Sequence, residues 1–468
     1  MMHFSIPDVQ EINDGNGSTF IGYNIHINGV FHCTVRYKQL HNLHEQLKKE
    51  FGSDNLPSFP PKKLLPLTIN QVDERRSLLE KYIQMIGQDT KILSSDLIIG
   101  FLLSAQQETS CEKNIEVNLD VYTLNNYKIS IRVLVFDRTD QVLDKVCKSI
   151  NLPVEYVKYF SLFLIKEDNG DMFILRKLLN LESPYMSHRS VKENNKIFLR
   201  KSYWDSNFDN ELMNDPIALN LLYVQTVAEL EKGWILCTKD TRLHLTKLQA
   251  KLAKRDYIKF AATLKYYGYT QFAPCFCDYP NPRTKVLIAI GDHELNMRII
   301  DSGQLFKEGC FKVTRMRCWR ITATHNKIDN PANSRATSTT SLELAFEYLM
   351  SKDKLQWVTV TSDQAILMSL CLQSLVDELL VKKNGYDTKT QTVKKGPWSY
   401  MKRDGSSHLI SLDNLDLSTD IKTTTEGNRI QDTFSIKKLQ EKFSIVSFKS
   451  GRGIVENHAF EGIGDENL

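Results

Sequence analysis

Along the first hundred residues the spacing of hydrophobic positions changes twice. Between residues 19 and 34, apolar and β-branched side chains alternate with polar ones around Asn28-Gly29, which predicts two strands joined by a tight turn. Leu40, Leu43, Leu47 and Phe51 then recur at three- and four-residue steps, the spacing of one helix face. Pro57, Pro60, Pro61 and Pro66 exclude regular structure from the next stretch, and Leu78, Tyr82, Ile83 and Ile86 restore helical spacing. The pattern predicts a compact β-then-α unit ending near Gln107.

A period of two returns at residue 115. Val117, Leu119 and Val121 alternate with polar residues, residues 128–135 alternate again, and residues 142–150 read as one short helix. Asn169-Gly170 turns a further strand pair, and residues 197–199 read as a closing strand, so the order strand, strand, helix, strands predicts a ubiquitin-like roll. Residues 208–267 are helical throughout, with Leu221, Leu222, Val224, Val227, Leu230, Leu245, Leu248, Leu252, Phe260 and Leu264 as buried stripes. Strands resume over residues 285–360, interrupted by a polar Asn/Ser/Thr-rich segment at 325–341 that reads as a mobile loop, before an apolar helix at 365–381. From Lys382 onward apolar residues are scattered, which predicts a disordered tail.

Composition narrows the function. A chain of 468 residues with 41% apolar content calls for two or three folded cores. Its net charge of +4, from 60 basic and 56 acidic residues, sets up no global field of the kind nucleic-acid binding uses, so attraction to an anionic surface has to be local. The N-terminus carries no basic flank followed by an apolar run, and the apolar stretch 365–376 is too short to span a bilayer, so a soluble cytosolic protein is expected. The 9 cysteines, widely scattered, read as reduced side chains. Cys275-x-Cys277 has the wrong spacing for a zinc knuckle and no second pair follows. No Gly-x-Ser-x-Gly elbow, phosphate-binding loop or His-Glu-x-x-His helix is found, which points away from an enzyme and from any cofactor.

Local cationic chemistry is present in the first unit. Arg36-Tyr37 stands at the mouth of a helix, Phe59-Pro60-Pro61-Lys62-Lys63 forms a rigid basic turn, and Arg75-Arg76 follows, with Arg75 on the next helix. A guanidinium makes paired hydrogen bonds to a phosphate monoester, an aromatic face suits the apolar side of an inositol ring, and a lysine pinned by prolines can meet a phosphodiester. Each cation alone is an ordinary solvated charge. In this order and context they read as a site for a phosphorylated sugar ring at a membrane. The apolar Leu64-Leu65-Pro66-Leu67 beside them could equally dip into a headgroup layer or be buried.

The whole arrangement resembles the PX-FERM sorting nexins, on its order of units and on Lys201-Ser202-Tyr203-Trp204-Asp205, Arg315-Met316-Arg317-Cys318-Trp319-Arg320 and Phe460-Glu461-Gly462-Ile463-Gly464-Asp465-Glu466. The resemblance implies an α+β multidomain chain. A PX domain (three-stranded sheet plus helices) would occupy residues 1–109. FERM lobes F1 (ubiquitin-like, 113–203), F2 (helical, 204–275) and F3 (PTB/PH-like, 276–386) would follow, with a disordered tail at 387–468. It further implies that Arg36, Tyr37, Lys62 and Arg75 contact phosphatidylinositol 3-phosphate, Arg36 holding the 3-phosphate. The familiar Arg-Arg-Tyr-x-x-Phe run reads Val35-Arg36-Tyr37-Lys38-Gln39-Leu40 here.

In the F3 lobe an extended peptide could add to a strand edge at residues 316–322, with Trp319 as one wall and Val376 and Leu380 sharing a helix face, Leu372 and Leu379 facing the core. The resemblance makes this groove a receptor for Asn-Pro-x-Tyr or Asn-x-x-Tyr signals in transmembrane receptor tails, with Trp319, Leu349, Val376 and Leu380 in matching positions. It also makes the acidic terminus, through Phe460, Ile463 and Leu468, a partner site for the retriever complex. The implied protein is a monomeric peripheral adaptor of early endosomes that returns receptors to the plasma membrane. Asn457-His458-Ala459-Phe460 itself reads Asn-x-x-Phe, so the tail could fold back over the groove. A cortical membrane-cytoskeleton linker is the structural alternative, since it shares the three-lobed module.

Overall fold

The computed structural model describes residues 2–13, 19–63, 66–168, 170–191, 194–301, 304–327, 338–352, 354–384, 398–410 and 445–449. They form two units, one joining residues 2–111 to 398–410 and the other joining 112–384 to 445–449.

In the first unit, Thr19–Ile27 is the central strand. It pairs with Val30–Arg36 on one side and, on the other, with Val9–Asn13 and the short Phe4–Ser5, two pieces of one strand that Pro7 interrupts. Asn28 (φ 51°) and Gly29 (φ 82°) make the predicted tight turn. That turn is clamped by the N-terminal segment: the Asn28 N–H donates to the His3 carbonyl at 2.7 Å and the His3 N–H to Asn28 Oδ1 at 3.0 Å. Burial holds the His3 imidazole down to about 3 from its ordinary 6.5. The unfolded chain therefore binds the extra proton across this window, and stability falls as pH drops from 6.5 towards 3, by up to ~1.4 kcal/mol per pH unit. His3→Gln should flatten that part of the acid-denaturation curve.

Helices Tyr37–Phe51, Ile69–Ile86 and Asp96–Ser110 pack on this sheet. Leu40, Leu43 and Leu47 are buried as their spacing predicts. In the second helix the buried stripe is Leu79, Tyr82, Ile83 and Ile86, while Leu78 turns outward at 44% exposure. Thr68 and Gln71 cap this helix reciprocally, which fixes where the proline segment ends.

The second unit begins with a five-stranded sheet in the order Lys128–Leu134, Glu116–Tyr122, Asn195–Lys201, Phe160–Asp168, Asp171–Lys177. Its one parallel pairing, Val121 with Ile197, and the helix Thr139–Ser149 give the expected ubiquitin-like roll. Helices Asn207–Leu212, Pro216–Glu231, Lys239–Ala250 and Lys254–Ala261 form the second lobe. Leu252 departs from its predicted stripe: it lies at positive φ in the turn after Lys239–Ala250 and is 79% exposed.

The third lobe is a sheet running Gln304–Lys312, Glu294–Asp301, Thr284–Gly291, Cys275–Cys277, Lys354–Thr361, Ser338–Ser351, Met316–Lys327, Ile445–Lys449, with the helix Ala365–Asn384 packed against it. Of the polar segment at 325–341, the two ends are strand, since Met316–Lys327 and Ser338–Ser351 pair out to Lys327 and Ser338, and the expected loop between them at 328–337 lies outside the described residues. Cross-strand hydrogen bonding satisfies the backbone there whatever the side chains are. Cys275 and Cys277 are buried, which pushes their thiols up to about 12 and about 11.

The expectation of a disordered tail over 387–468 is corrected at two places. Trp398–Met401 and Ser407–Ile410 form an antiparallel hairpin belonging to the first unit, and Ile445–Lys449 pairs in parallel with Met316–Lys327. The hairpin's signal stands in the sequence: Trp398, Tyr400 and their polar neighbours alternate up to Asp404-Gly405, with Gly405 at φ 92°. Two buried aromatics supply the burial that the surrounding composition lacks.

Candidate functional site

Arg36 ends the strand Val30–Arg36 and caps the helix Tyr37–Phe51. Its N–H donates to Gln39 Oε1 at 2.8 Å, its guanidinium lies 4.0 Å from the centroid of the Phe20 ring, and Nη1 donates to the Arg403 carbonyl at 2.6 Å. A guanidinium has five N–H donors, and among the described residues this is the one side-chain hydrogen bond that Arg36 donates.

Tyr37 is fixed from two directions. Its hydroxyl donates to the Pro60 carbonyl at 2.7 Å, tying the helix start to the proline turn, and the Arg75 guanidinium stacks 4.4 Å from its ring centroid. Burial raises the phenol above its ordinary value, with Arg75 opposing the shift, so the ring stays a neutral donor. Phe59 fills the space behind, 5.6 Å from Tyr37, stacked on His44 at 4.9 Å and edge-on to Tyr82 at 4.8 Å. The proline turn is thus held by an aromatic cluster, and it presents Lys62 to solvent two residues beyond the bonded Pro60.

The two neighbouring arginines have different work. Arg76 pairs with Asp73 at 2.8 Å and Glu80 at 3.7 Å and donates to the Ile6 carbonyl, so it holds the helix Ile69–Ile86 to the N-terminal segment. Arg75 faces Tyr37 and also hydrogen-bonds the buried Tyr23 hydroxyl, opposing the upward shift that burial imposes on that phenol. A guanidinium held flat on an aromatic ring, close in the chain's fold to a second arginine and a basic turn, is an arrangement that can take an anion. The structure therefore strings Arg36, Tyr37, Arg75 and the Lys62 turn together, as the sequence grouped them. It adds Phe20 and Gln39, which the sequence reading passed over. Leu64 and Leu65 lie outside the described residues.

The predicted peptide groove is altered by its geometry. Trp319 is 1% exposed and its indole Nε1 donates to Ser369 Oγ on the helix Ala365–Asn384 at 3.1 Å, so it joins sheet to helix in the core and is not an open wall. Val376 is also buried, at 5% exposure, while Leu380 and Leu349 are half-buried. Leu372 faces the core as expected, but Leu379 is half-buried. The edge of Met316–Lys327 carries the chain's own Ile445–Lys449, in register from Arg320–Ile445 to Thr324–Lys449. Asn457 and Phe460, and with them Ile463 and Leu468, lie outside the described residues.

Known proteins carry the same parts in the same order. Residues 23–105 match the PX domain family, 117–204 the F1 lobe of the sorting nexin 17/27/31 FERM domain, 205–265 the F2 lobe of the sorting nexin 17/31 FERM domain, and 268–380 the sorting nexin 17 FERM C-terminal domain. Sorting nexin-17 of Danio rerio is 46% identical and that of Homo sapiens 44% identical, each aligned over 100% of both chains. The chain belongs to the sorting nexin-17 family. Sorting nexin-31 of Homo sapiens is 35% identical over 83% of this chain and 88% of its own. This sorting nexin is thus a PX domain followed by three FERM lobes. Among its described residues no helix is long and apolar enough to cross a membrane.

Proposed function

We propose that this sorting nexin is an endosomal adaptor with two docking surfaces, one for phosphatidylinositol 3-phosphate and one for Asn-Pro-x-Tyr or Asn-x-x-Tyr peptides of receptor tails, and that it returns those receptors to the plasma membrane. The observation that carries the lipid half is the Arg36–Tyr37–Arg75 cluster beside the Lys62 turn, joined by the Arg75 guanidinium on the Tyr37 ring and by the Tyr37 hydroxyl on the Pro60 carbonyl. Arg36 takes the 3-phosphate, Lys62 the diester and Arg75 the ring hydroxyls. One headgroup holds a protein on a membrane only reversibly, and a second contact through membrane-borne cargo raises retention by effective concentration. Full-length protein sedimented with vesicles of each phosphoinositide tests this half. Binding without preference for the 3-phosphate lipid refutes it.

The peptide half rests on a sheet edge able to accept one more strand. Because Ile445–Lys449 lies on that edge, the tail acts as an in-chain competitor that cargo displaces; the acidic terminus through Leu468 remains the proposed retriever contact. Deleting residues 445–449 should tighten Asn-Pro-x-Tyr peptide binding several-fold, since a ligand otherwise binds only the fraction of molecules with an open edge. Deleting 454–468 tests the Asn457–Phe460 segment in the same titration. If neither deletion changes the affinity, the tail does not compete.

A further inference from the structure

The hairpin at 398–410 makes a dense set of contacts with the first unit. Trp398 is 6% exposed and Tyr400 2%. Trp398 lies on Gly100 of the helix Asp96–Ser110 so closely that a Cβ on that glycine would stand 1.7 Å from the indole. Gln46 reads the Ser399 backbone as a paired strand would, Oε1 accepting its N–H at 2.9 Å and Nε2 donating to its carbonyl at 2.8 Å. Glu108 accepts the Tyr400 hydroxyl and the Arg403 N–H, each at 2.7 Å, and Arg403 Nη2 donates to the Thr34 carbonyl and Thr109 Oγ1, each at 2.7 Å.

These bonds deliver the tip of the hairpin to Arg36 by two routes. The Arg403 carbonyl accepts Arg36 Nη1, and the buried Gln39, whose Oε1 holds the Arg36 N–H, donates from Nε2 to the Tyr400 hydroxyl at 3.0 Å and the Met401 carbonyl at 2.9 Å. With Phe20 on one face and a carbonyl at one end, the guanidinium is held in one orientation while its remaining donors are left for an anion.

We propose that the 398–410 hairpin is a positioning element of the phosphate site: it fixes Arg36 through the Arg403 carbonyl and Gln39, so that the lipid affinity of the whole protein depends on a segment lying after the FERM lobes. This rests on the lipid reading given above. A long, flexible arginine loses side-chain entropy when it closes on a phosphate, and a preset one has that cost already met. The hairpin touches Arg36 through a neutral carbonyl that leaves the other donors available, which is the geometry of a support and not of a plug.

The test uses the full chain and vesicles containing phosphatidylinositol 3-phosphate or unphosphorylated phosphatidylinositol. Two variants displace the hairpin: replacement of residues 398–410 by a Gly/Ser segment of equal length, and Gly100→Ala, which drives a Cβ into Trp398 while improving the propensity of its own helix. Both should weaken binding to the 3-phosphate vesicles roughly tenfold. Neither should weaken the residual binding of an Arg36→Gln protein further, a coupling that a general loss of stability would not produce. Unchanged affinity, a gain in affinity, or an equal loss with Arg36→Gln would each overturn the proposal. If Arg36→Gln itself keeps the lipid preference, the lipid reading falls and takes this inference with it.

Discussion

If the lipid reading holds, Arg36→Gln should abolish discrimination between 3-phosphorylated and unphosphorylated phosphatidylinositol vesicles. The guanidinium is the one cation of the cluster that ends a strand, caps a helix and is oriented by a ring and a carbonyl at once. Glutamine keeps a single N–H₂ donor and loses both the charge and the paired geometry. Charge-assisted bonds of this kind contribute about 1.5–3 kcal/mol each, so a loss of roughly 10–100-fold is expected in a vesicle titration. Arg75→Ala should cost less, because its stacking on Tyr37 is a packing contact that water can partly replace. The Arg36 variant must retain its unfolding temperature for the result to count. An unchanged lipid preference in a folded protein would mean that the phosphate lies elsewhere.

Trp319→Ala has the second large effect, on stability and not on capture. A fully buried tryptophan truncated to alanine costs about 3–5 kcal/mol, and here Ser369 Oγ loses a partner as well. Denaturant unfolding of the second unit should shift by that amount. Peptide binding by the protein that stays folded should be nearly unchanged. Trp319→Phe keeps most of the volume and loses the indole N–H, so about 1–3 kcal/mol is expected for it. A stable Trp319→Ala protein that cannot bind an Asn-Pro-x-Tyr peptide would restore the tryptophan to the groove wall.

The contrast between Arg36 and Trp319 shows what could be read from the chain. Asn28-Gly29, the leucine spacing of the first helix and the proline turn are local signals whose physical causes lie within a few residues, and all three stand where their pattern placed them. The grouping of Arg36, Tyr37 and Arg75 was legible for a related reason: a helix mouth and a rigid turn leave little freedom for where they point. The resemblance alone singles out Arg75 over Arg76; the physical reason, Arg76 being taken up by Asp73, Glu80 and the Ile6 carbonyl, appears only in the packed helix. The role of Trp319 depends on which side of the strand the helix Ala365–Asn384 covers, and strand alternation is silent about that. Leu252 was misplaced because a helical stripe was carried through a turn where the backbone reverses sign. The hairpin was missed for the opposite reason: its Asp404-Gly405 turn and alternating aromatics were present, but the polar composition on either side outweighed them.

The seat of Trp398 on Gly100 also sets a timetable for biosynthesis. The helix Asp96–Ser110 leaves the ribosome long before the residue that covers it, and at about 5–20 residues per second the interval between Gly100 and Trp398 is roughly 15–60 s. Throughout that time the nascent first unit presents Phe101 and its neighbouring glycine uncovered, a surface for chaperones to hold. Cleavage of the finished chain anywhere between the two would leave them joined only by their contacts.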